Sequence, residues 1–365
     1  MTELVELLRE LVAVDSTNPG LDPDGAGEAE VASVVGRWCS RAGLEVSVED
    51  AAPGRPNVVA VARGRGGGTS LILNAHTDTV RAGGPRGRAE AVLDGDRLYG
   101  RGSYDMKGAL AAAMVATATA AKRNLRGDVI LTAVADEEVA SVGTEAVVRT
   151  QRADAAIVAE PTEERLCIAH KGFVAFEIET RGVAAHGSRP DLGVDAIAHM
   201  GPILVRLREL DERLRASTGH PLLGTGSLHA SLIEGGQEYS SYPERCLLSG
   251  ERRTLPDEAV AQVEAEVAEL LGGVDGEARV TFSRPAFEID DGEPIVEAVR
   301  RAAGVEEVAG VPFWADSALL AAAGIPTVLF GPCGGGAHAV EEWVDLASLE
   351  RCAAVYEAVA ADLCA

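Results

Sequence analysis

Aromatic side chains are scarce: Phe, Trp and Tyr together make up 4% of the 365 residues. A core with so few rings has to be filled by Ala, Val and Leu, which suits a sheet packed closely by Ala-rich helices. The cysteines Cys39, Cys167, Cys246, Cys333, Cys352 and Cys364 never form a CxxC pair. In a chain this long they read as reduced thiols, not as a disulfide framework. No run of about 18 apolar residues is free of charge and glycine, so a membrane span is not expected. The opening stretch MTELVELLRELVAVDS alternates charged and apolar residues at helical spacing, which makes it an amphipathic helix and not a secretory signal. A cytoplasmic protein is the expectation. Positive charge is also short: 33 Lys and Arg against 57 Asp and Glu give a net charge of −24. A field of that sign repels nucleic acid and anionic membranes and can favour a cationic metal, but it names no substrate.

What is present is an ordinary globular balance, 47% apolar and 25% charged. At about 150 residues per domain the length favours two domains. Residues 3–14 read as a helix, and AEVASVVGRWCSRAG as a second one stopped by Gly43. LEVSVED and PNVVAVARG alternate as strands. SLILNAHTD is a continuous apolar run, the mark of a strand covered on both faces. GDVILTAVADEE and AAIVAEPT repeat that habit, and DMKGALAAAMVATATAAKRN, just before GDVILTAVADEE, is a long Ala-rich helix. Strands alternating with helices imply an α/β domain with a mostly parallel sheet and helices on both faces. Ligands of such sheets sit beyond the carboxyl ends of the strands, where the polar residues fall here.

The rhythm then changes. GFVAFEIETRG, PDLGVDAIAHMGPILVRLREL, GSLHASLIEGG, PERCLLSGERRTL, PDEAVAQVEAEVAELLGG and ARVTFSRPAFEI run strand, helix, strand, strand, helix, strand. That order describes an α+β, ferredoxin-like unit. We expect it as an insert at residues 173–285, with 1–172 and 286–365 forming the first domain.

His76, Asp105, Glu138, Glu160 and His338 share one placement, just past an apolar strand or its loop. Two imidazoles and three carboxylates suit Zn²⁺, Co²⁺ or Mn²⁺. The set is too large for one tetrahedral site, but it fits two metals if one carboxylate bridges them, and such a pair activates a water and polarises a carbonyl together. Each residue alone has a plainer explanation. A histidine at a strand end is more often simply hydrogen-bonded, Asp136-Glu137-Glu138 can cap a helix start, and GPCGGGAH can be a flexible loop.

NAHTDTV, LYGRGSYDMKGALAA, ADEEVASVGTEAVV, VAEPT and FGPCGGGAH follow in order. With these motifs the sequence resembles the acetylornithine deacetylase, succinyl-diaminopimelate desuccinylase and glutamate carboxypeptidase family of di-zinc amidohydrolases, over nearly the whole chain. The resemblance implies that Asp105 bridges two metals, that His76 and Glu160 complete one site, and that Glu138 and His338 complete the other. It implies Glu137 as the general base that passes a proton from the attacking water to the leaving amine, and Asp78 as acceptor of a hydrogen bond from the other nitrogen of His76. Asp316 matches an acid common near this site. The inserted domain then acts as a lid and dimerisation domain. In it His186 is implied as donor to the developing oxyanion, often across a dimer interface, and Arg253 as the grip on a substrate carboxylate. Ser240 stands where relatives usually carry Asn, Tyr104 is bulkier than the common residue before the bridging acid, and Cys333 replaces a common Gly. Tyr239, Tyr242 and Trp314 are further candidates for the pocket wall.

The implied reaction is metal-dependent hydrolysis of the amide bond of an N-acyl amino acid or similar small carboxylate. Zn²⁺ is the expected ion, with Co²⁺ or Mn²⁺ as alternatives, and a homodimer is expected. Nucleic acid and membranes are not expected partners. A dipeptidase or carboxypeptidase using the same machinery is the alternative. A ligand-binding relative without activity is disfavoured, because the chain keeps the base and all the ligands.

Overall fold

The computed structural model describes residues 2–81 and 91–365. It divides into one compact unit made of Met1–Ile168, Ile289–Ala309 and Ala315–Ala365, and another made of Ala169–Glu288 and Gly310–Trp314. The segment Gly310–Trp314 carries no sequence signal for the second unit, since its assignment depends on packing alone.

In the first unit the strands lie in the order Glu45–Ala52, Arg55–Ala62, Val129–Val134, Leu71–His76, Ala155–Val158, Thr327–Leu329 and Leu166–His170. The central four are parallel. The flanks are antiparallel, so the sheet is mixed at its edges. For the first two strands the physical reason is connection length. Only Pro53 and Gly54 separate the first two strands, whereas a parallel pair needs a crossover of about a dozen residues. Every residue of the Leu71–His76, Val129–Val134 and Ala155–Val158 strands is buried, as their unbroken apolar runs require of strands covered on both faces.

Helix Lys107–Ala121 supplies much of that cover. It packs on Leu71–His76 and Val129–Val134 and also against helix Leu346–Leu363. Ala109, Leu110, Ala111, Ala112, Ala113, Met114 and Ala116 are fully buried, so the helix has no broad polar face and belongs in the interior. Its alanines permit close approach to the sheet. Truncating Leu110 to Ala there would leave a cavity costing about 2–5 kcal/mol.

The second unit is a four-stranded antiparallel sheet in the order Ser227–Gly235, Arg245–Thr254, Gly172–Arg181, Gly276–Arg284. Along Gly172–Arg181 burial alternates residue by residue. Val174, Phe176 and Ile178 face Ile203 and Leu207 of helix Ala196–Arg215 and Val263 and Val267 of helix Val260–Leu270. The first of these helices starts later than its apolar pattern suggests. The Asp195 carboxylate accepts from the Ala198 amide at 2.9 Å, an N-cap that sets the start at Ala196 and leaves residues 190–192 as turn and Val194 in a bridge with Val183. Among the described residues no helix is long and apolar enough to cross a membrane.

Candidate metal centre

Three neighbouring parallel strands end at one rim of the sheet in the first unit. Leu71–His76 ends in His76 itself, Val129–Val134 leads into Glu138, and Ala155–Val158 leads into Glu160. Adjacent strands lie about 4.8 Å apart, so residues just beyond their ends meet without long loops. Asp105 and His338 arrive on loops. The structure brings all five expected residues together. Asp105 Oδ1 lies 3.1 Å from His76 Nε2, and its Oδ2 lies 3.5 Å from His338 Nε2. Glu160 is 3.8 Å from His76 Nε2, and Glu138 is 3.1 Å from His338 Nε2. Two sets that could each hold a metal ion result, His76–Asp105–Glu160 and Asp105–Glu138–His338, each with its donor atoms within 4.8 Å of one another.

The electrostatics of this cluster call for cations. Burial, then the nearby Glu160 charge, pushes Glu137 well above the ordinary carboxylate range. Burial does the same to Glu160, and Glu138 is raised as well. Against burial, hydrogen bonds from His338 and His76 hold Asp105 well below its usual value. The same contacts raise His338 to about 10 and hold His76 well above its usual value. Glu138 Oε1 is buried and has no hydrogen-bond partner among the described residues. Crowded acids with an orphaned oxygen and two imidazoles form a donor set that fits divalent metal.

Asp78 meets His76 with its main chain more closely than with its carboxylate. His76 Nδ1 meets the main-chain carbonyl of Asp78 at 2.9 Å, while the nearer carboxylate oxygen stands at 3.5 Å. The chain curls after the strand, so the carbonyl itself takes the imidazole. The Asp78 carboxylate instead accepts from the amides of Glu137 and Glu138 at 3.1 and 3.2 Å, and from Asn18 Nδ2 at 2.7 Å. Asp78 therefore orients His76 with its backbone and pins the loop carrying Glu137 and Glu138 with its side chain.

That loop is not a helix cap. Asp136 has φ +71°, and its carbonyl accepts from Val139, Ala140 and Ser141 in a turn before helix Val142–Thr150. Its carboxylate receives Asn18 Nδ2 at 3.1 Å and Arg55 Nη2 at 2.9 Å. Arg55 also grips Glu28 through Nε at 2.7 Å and Nη2 at 2.5 Å. Asn18, Glu28 and Arg55 escaped the sequence reading. The only hint was the turn-forming DSTNPG around Asn18. Asp316 lies buried behind the cluster, where its Oδ2 accepts from Thr144 Oγ1 at 2.6 Å and burial pushes it up to about 6.

Tyr104 is buried, and a Cβ on Gly334 would come within 2.4 Å of its ring, so this bulky residue requires glycine opposite. The Cys333 thiol turns toward Glu164 Oε1 at 3.6 Å, and Arg351 holds that carboxylate.

The remaining candidates lie in the second unit. His186 is exposed, with Nδ1 2.8 Å from Ser188 Oγ and accepting from the Ser188 amide at 3.2 Å. The Gly187 amide donates to the Ser240 carbonyl at 2.6 Å, which ties the His186 and Ser240 segments together. Ser240 Oγ itself donates to Glu238 at 3.1 Å. Of the two arginines, Arg252 is fully buried against Glu258 and Glu266 and is structural. Arg253 is partly exposed, pairs with Glu251 at 2.6 Å and lies 5.4 Å from the Phe173 ring centre. The Tyr242 ring packs over Gly193, and Tyr239 is fully exposed. Trp314 is packed edge-on against His170 and Phe173 and donates to the Pro285 carbonyl at 3.0 Å, which makes it a core residue of this unit.

Residues 72–362 match the model of peptidase family M20/M25/M40. The chain is 30% identical to an N-formyl-4-amino-5-aminomethyl-2-methylpyrimidine deformylase of Halalkalibacterium halodurans, over 95% of this chain and 91% of that protein. It is equally 30% identical to the acetylornithine deacetylase of Myxococcus xanthus, over 98% and 96%. Among solved structures it is similar to an M20 family metallo-carboxypeptidase from Sulfolobus solfataricus, with TM-score 0.80, 20% identity and 98% of each chain covered. It is also similar to a Bacillus subtilis protein described as a dinuclear metal-binding peptidase of the M20 family, with TM-score 0.73, 18% identity and 99% and 97% covered.

Proposed function

The chain belongs to peptidase family M20/M25/M40 and is a metal-dependent amide hydrolase, and from that premise we propose which residues do the work and on what. The substrate is an N-acyl amino acid or similar small carboxylate. The names of the two relatives, a deacetylase and a deformylase, support removal of a small acyl group.

Two divalent cations would be held by His76, Asp105 and Glu160, and by Asp105, Glu138 and His338. The reading rests above all on Asp105, whose two oxygens face two different imidazoles. Zn²⁺ suits this donor set best, and Co²⁺ or Mn²⁺ also fits it. When bound, the pair would supply Lewis-acid polarisation of the amide carbonyl and a lowered pKa for the attacking water.

Glu137 accepts the proton of the attacking water and delivers it to the departing amine. Its amide is held by the Asp78 carboxylate on the loop that also carries Glu138, which places it beside the cluster for taking and returning a proton. His186 donates to the developing oxyanion. The Ser188 amide points at Nδ1, so the neutral ring carries its proton on Nε2, as a donor there must. Arg253 binds the substrate carboxylate in place of its contact with Glu251, and Ser240 contributes its hydroxyl to substrate binding.

The inserted unit is proposed as a ferredoxin-like lid that also makes a homodimer. Its edge strand Ser227–Gly235 leaves Leu232 67% and Ile233 52% exposed, and the helix packed on it exposes Ile197 and Val205. Unpaired strand edges with apolar side chains are natural sites for self-association. Six free cysteines suit a reducing, cytoplasmic setting.

A hydrolysis screen of N-acetyl, N-formyl, N-succinyl and N-carbamoyl amino acids against dipeptides, with added Zn²⁺ or Co²⁺, tests the substrate class. Preference for dipeptides would move the reading to a peptidase. Full turnover after exhaustive chelation would refute the metal dependence, and Glu137→Gln should retain bound metal while losing about 10²–10⁴ in kcat.

A further inference from the structure

Glu342 is a buried carboxylate that the reaction does not use, yet four donors converge on it. Its Oε1 accepts from the amides of Tyr104 and Asp105, each at 2.9 Å. Its Oε2 accepts from the Gly102 amide at 3.0 Å and from Arg101 Nη1 at 2.6 Å. The same guanidinium reaches the Ala339 carbonyl through Nη2 at 2.5 Å, and the Glu342 carbonyl accepts from the Gly100 amide at 3.1 Å. Glu342 and Arg101 thus join two loops, one carrying Asp105 and the other carrying His338.

The framework behind them explains the convergence. Strand Trp343–Asp345 pairs with Arg97–Tyr99 on one side and with Gly334–Gly335 on the other. One ligand loop leaves the end of Arg97–Tyr99, and the other spans the gap between the remaining two strands. Glu342 is the last residue of that second loop, so its side chain is delivered to the first.

We propose that Glu342, together with Arg101, is a positioning residue that fixes the spacing of the Asp105 and His338 loops and so sets the affinity of the second cation site. The inference rests on the two-site reading above. The effect is unequal between the sites. His76 is buried at the end of a central strand and is held by the Asp78 carbonyl. His338 is half exposed at φ +60°, a left-handed conformation that a non-glycine residue keeps only when its surroundings hold it there. The tie from Arg101 to Ala339 is next to it.

Glu342→Gln keeps the size of the side chain but turns one oxygen into a donor. Whichever way the amide lies, two of the four converging groups lose their acceptor. The test is a titration of the chelator-treated full chain with Co²⁺, read by calorimetry and by the visible absorption of the bound ion. The wild-type chain should bind two equivalents. Glu342→Gln should bind one equivalent as the wild type does and the other 10–100-fold more weakly, the usual effect of losing a partner that orients a ligand. Arg101→Gln should weaken the same equivalent, and the double variant should add little. Arg101→Lys, which retains the charge, should recover part of the loss.

A wild-type chain that binds a single equivalent would sink the two-site reading, whatever Glu342 does. Two equivalents bound with unchanged affinity by both Glu342→Gln and Arg101→Gln would overturn the positioning role. An equal loss at both equivalents, accompanied by a lower urea midpoint of the metal-free chain, would overturn it too and leave Glu342 as general scaffolding. If Glu342→Gln does not fold, Arg101→Gln carries the same comparison.

Discussion

Arg55→Gln isolates the network behind the Glu137 loop and gives a number that must change with pH. The Glu28 side chain is fully buried, and its cationic partner is Arg55, with contacts of 2.7 and 2.5 Å. Burial already raises Glu28 above its ordinary value of 4.5 even with Arg55 in place. Without the guanidinium, the buried carboxylate either stays charged at high cost or takes a proton. Protonation sets the ceiling: from 4.5 to pH 7 it costs about 3.4 kcal/mol at about 1.36 kcal/mol per unit. Loss of the 2.9 Å contact to Asp136 adds about 1 kcal/mol, since Arg55 retains some solvent contact. We expect about 3–5 kcal/mol of destabilisation at pH 7, in the range for breaking a buried pair. At pH 5 the ceiling on the Glu28 part falls to about 0.7 kcal/mol, leaving about 1–2 kcal/mol in all. The sign follows from linkage. In the variant the folded pKa of Glu28 lies further above its unfolded value, so the folded state holds the proton longer and stability falls as pH rises. Urea titration of the chelator-treated variant and wild type at both pH values measures the difference. A penalty that is the same at pH 5 and pH 7, or below about 1 kcal/mol at pH 7, would refute the argument. The double variant Glu28→Gln/Arg55→Gln should remove most of the pH dependence.

The metal-free chain should itself gain stability as pH falls from 8 to 5. Burial raises Asp316 from 3.8 to about 6, so its stabilising contribution is complete below 3.8 and is lost as pH rises through about 6. That group alone contributes about 1.4 kcal/mol between pH 8 and pH 5, with Glu137 and Glu160 shifted in the same direction. A urea midpoint that rises with pH in the presence of chelator would contradict this. Asp78→Asn should lower kcat about 10²-fold or more by releasing the Glu137–Glu138 loop, one or two charge-assisted hydrogen bonds at about 1.5–3 kcal/mol each. Its binding of the cation at His76 should be nearly unchanged, because the Asp78 carbonyl persists. Metal titration separates that result from loss of His76 orientation. Leu232→Lys, on the exposed edge strand, should convert a dimer to a monomer in light scattering while the chain stays folded. An unchanged mass would remove that strand from the interface.

The parallel core was legible because buried strands need unbroken apolar runs, and LILNAH, VILTAV and AAIV have them. The second unit was legible for the opposite reason, the strict alternation of GFVAFEIETR. The antiparallel edge was harder, since alternation says nothing about strand direction and only the short Pro53–Gly54 connection does. Among site residues, His76, Asp105, Glu138, Glu160 and His338 were readable as acids and imidazoles at strand ends. The groups that hold them were not. Asn18 acts from a loop 60 residues before Asp78, and Glu342 acts on amides 237 and 238 residues away. Neither contact has a periodicity, and a glutamate beside another glutamate reads as surface. The Asp78 contact was legible only in part, because sequence names side chains, whereas the nearer acceptor for His76 is the Asp78 carbonyl.

The pattern separates two kinds of candidate ligand. His76, Glu138 and Glu160 stand at or just beyond the ends of adjacent parallel strands, so the sheet itself fixes their spacing and breaking it means disrupting the core. Asp105 and His338 stand on loops, and their spacing depends on hydrogen bonds to one buried carboxylate. A chain of this design can vary the loops around its site while the strand-borne ligands stay in place. On the two-site reading, the Asp105–Glu138–His338 set is then the softer of the two and the first to lose its ion as chelator is raised. The His76 set should persist until the sheet loosens. Stepwise removal of Co²⁺ with increasing chelator should therefore show two separated losses in the visible spectrum. In Glu342→Gln the first should move to lower chelator while the second stays where it was.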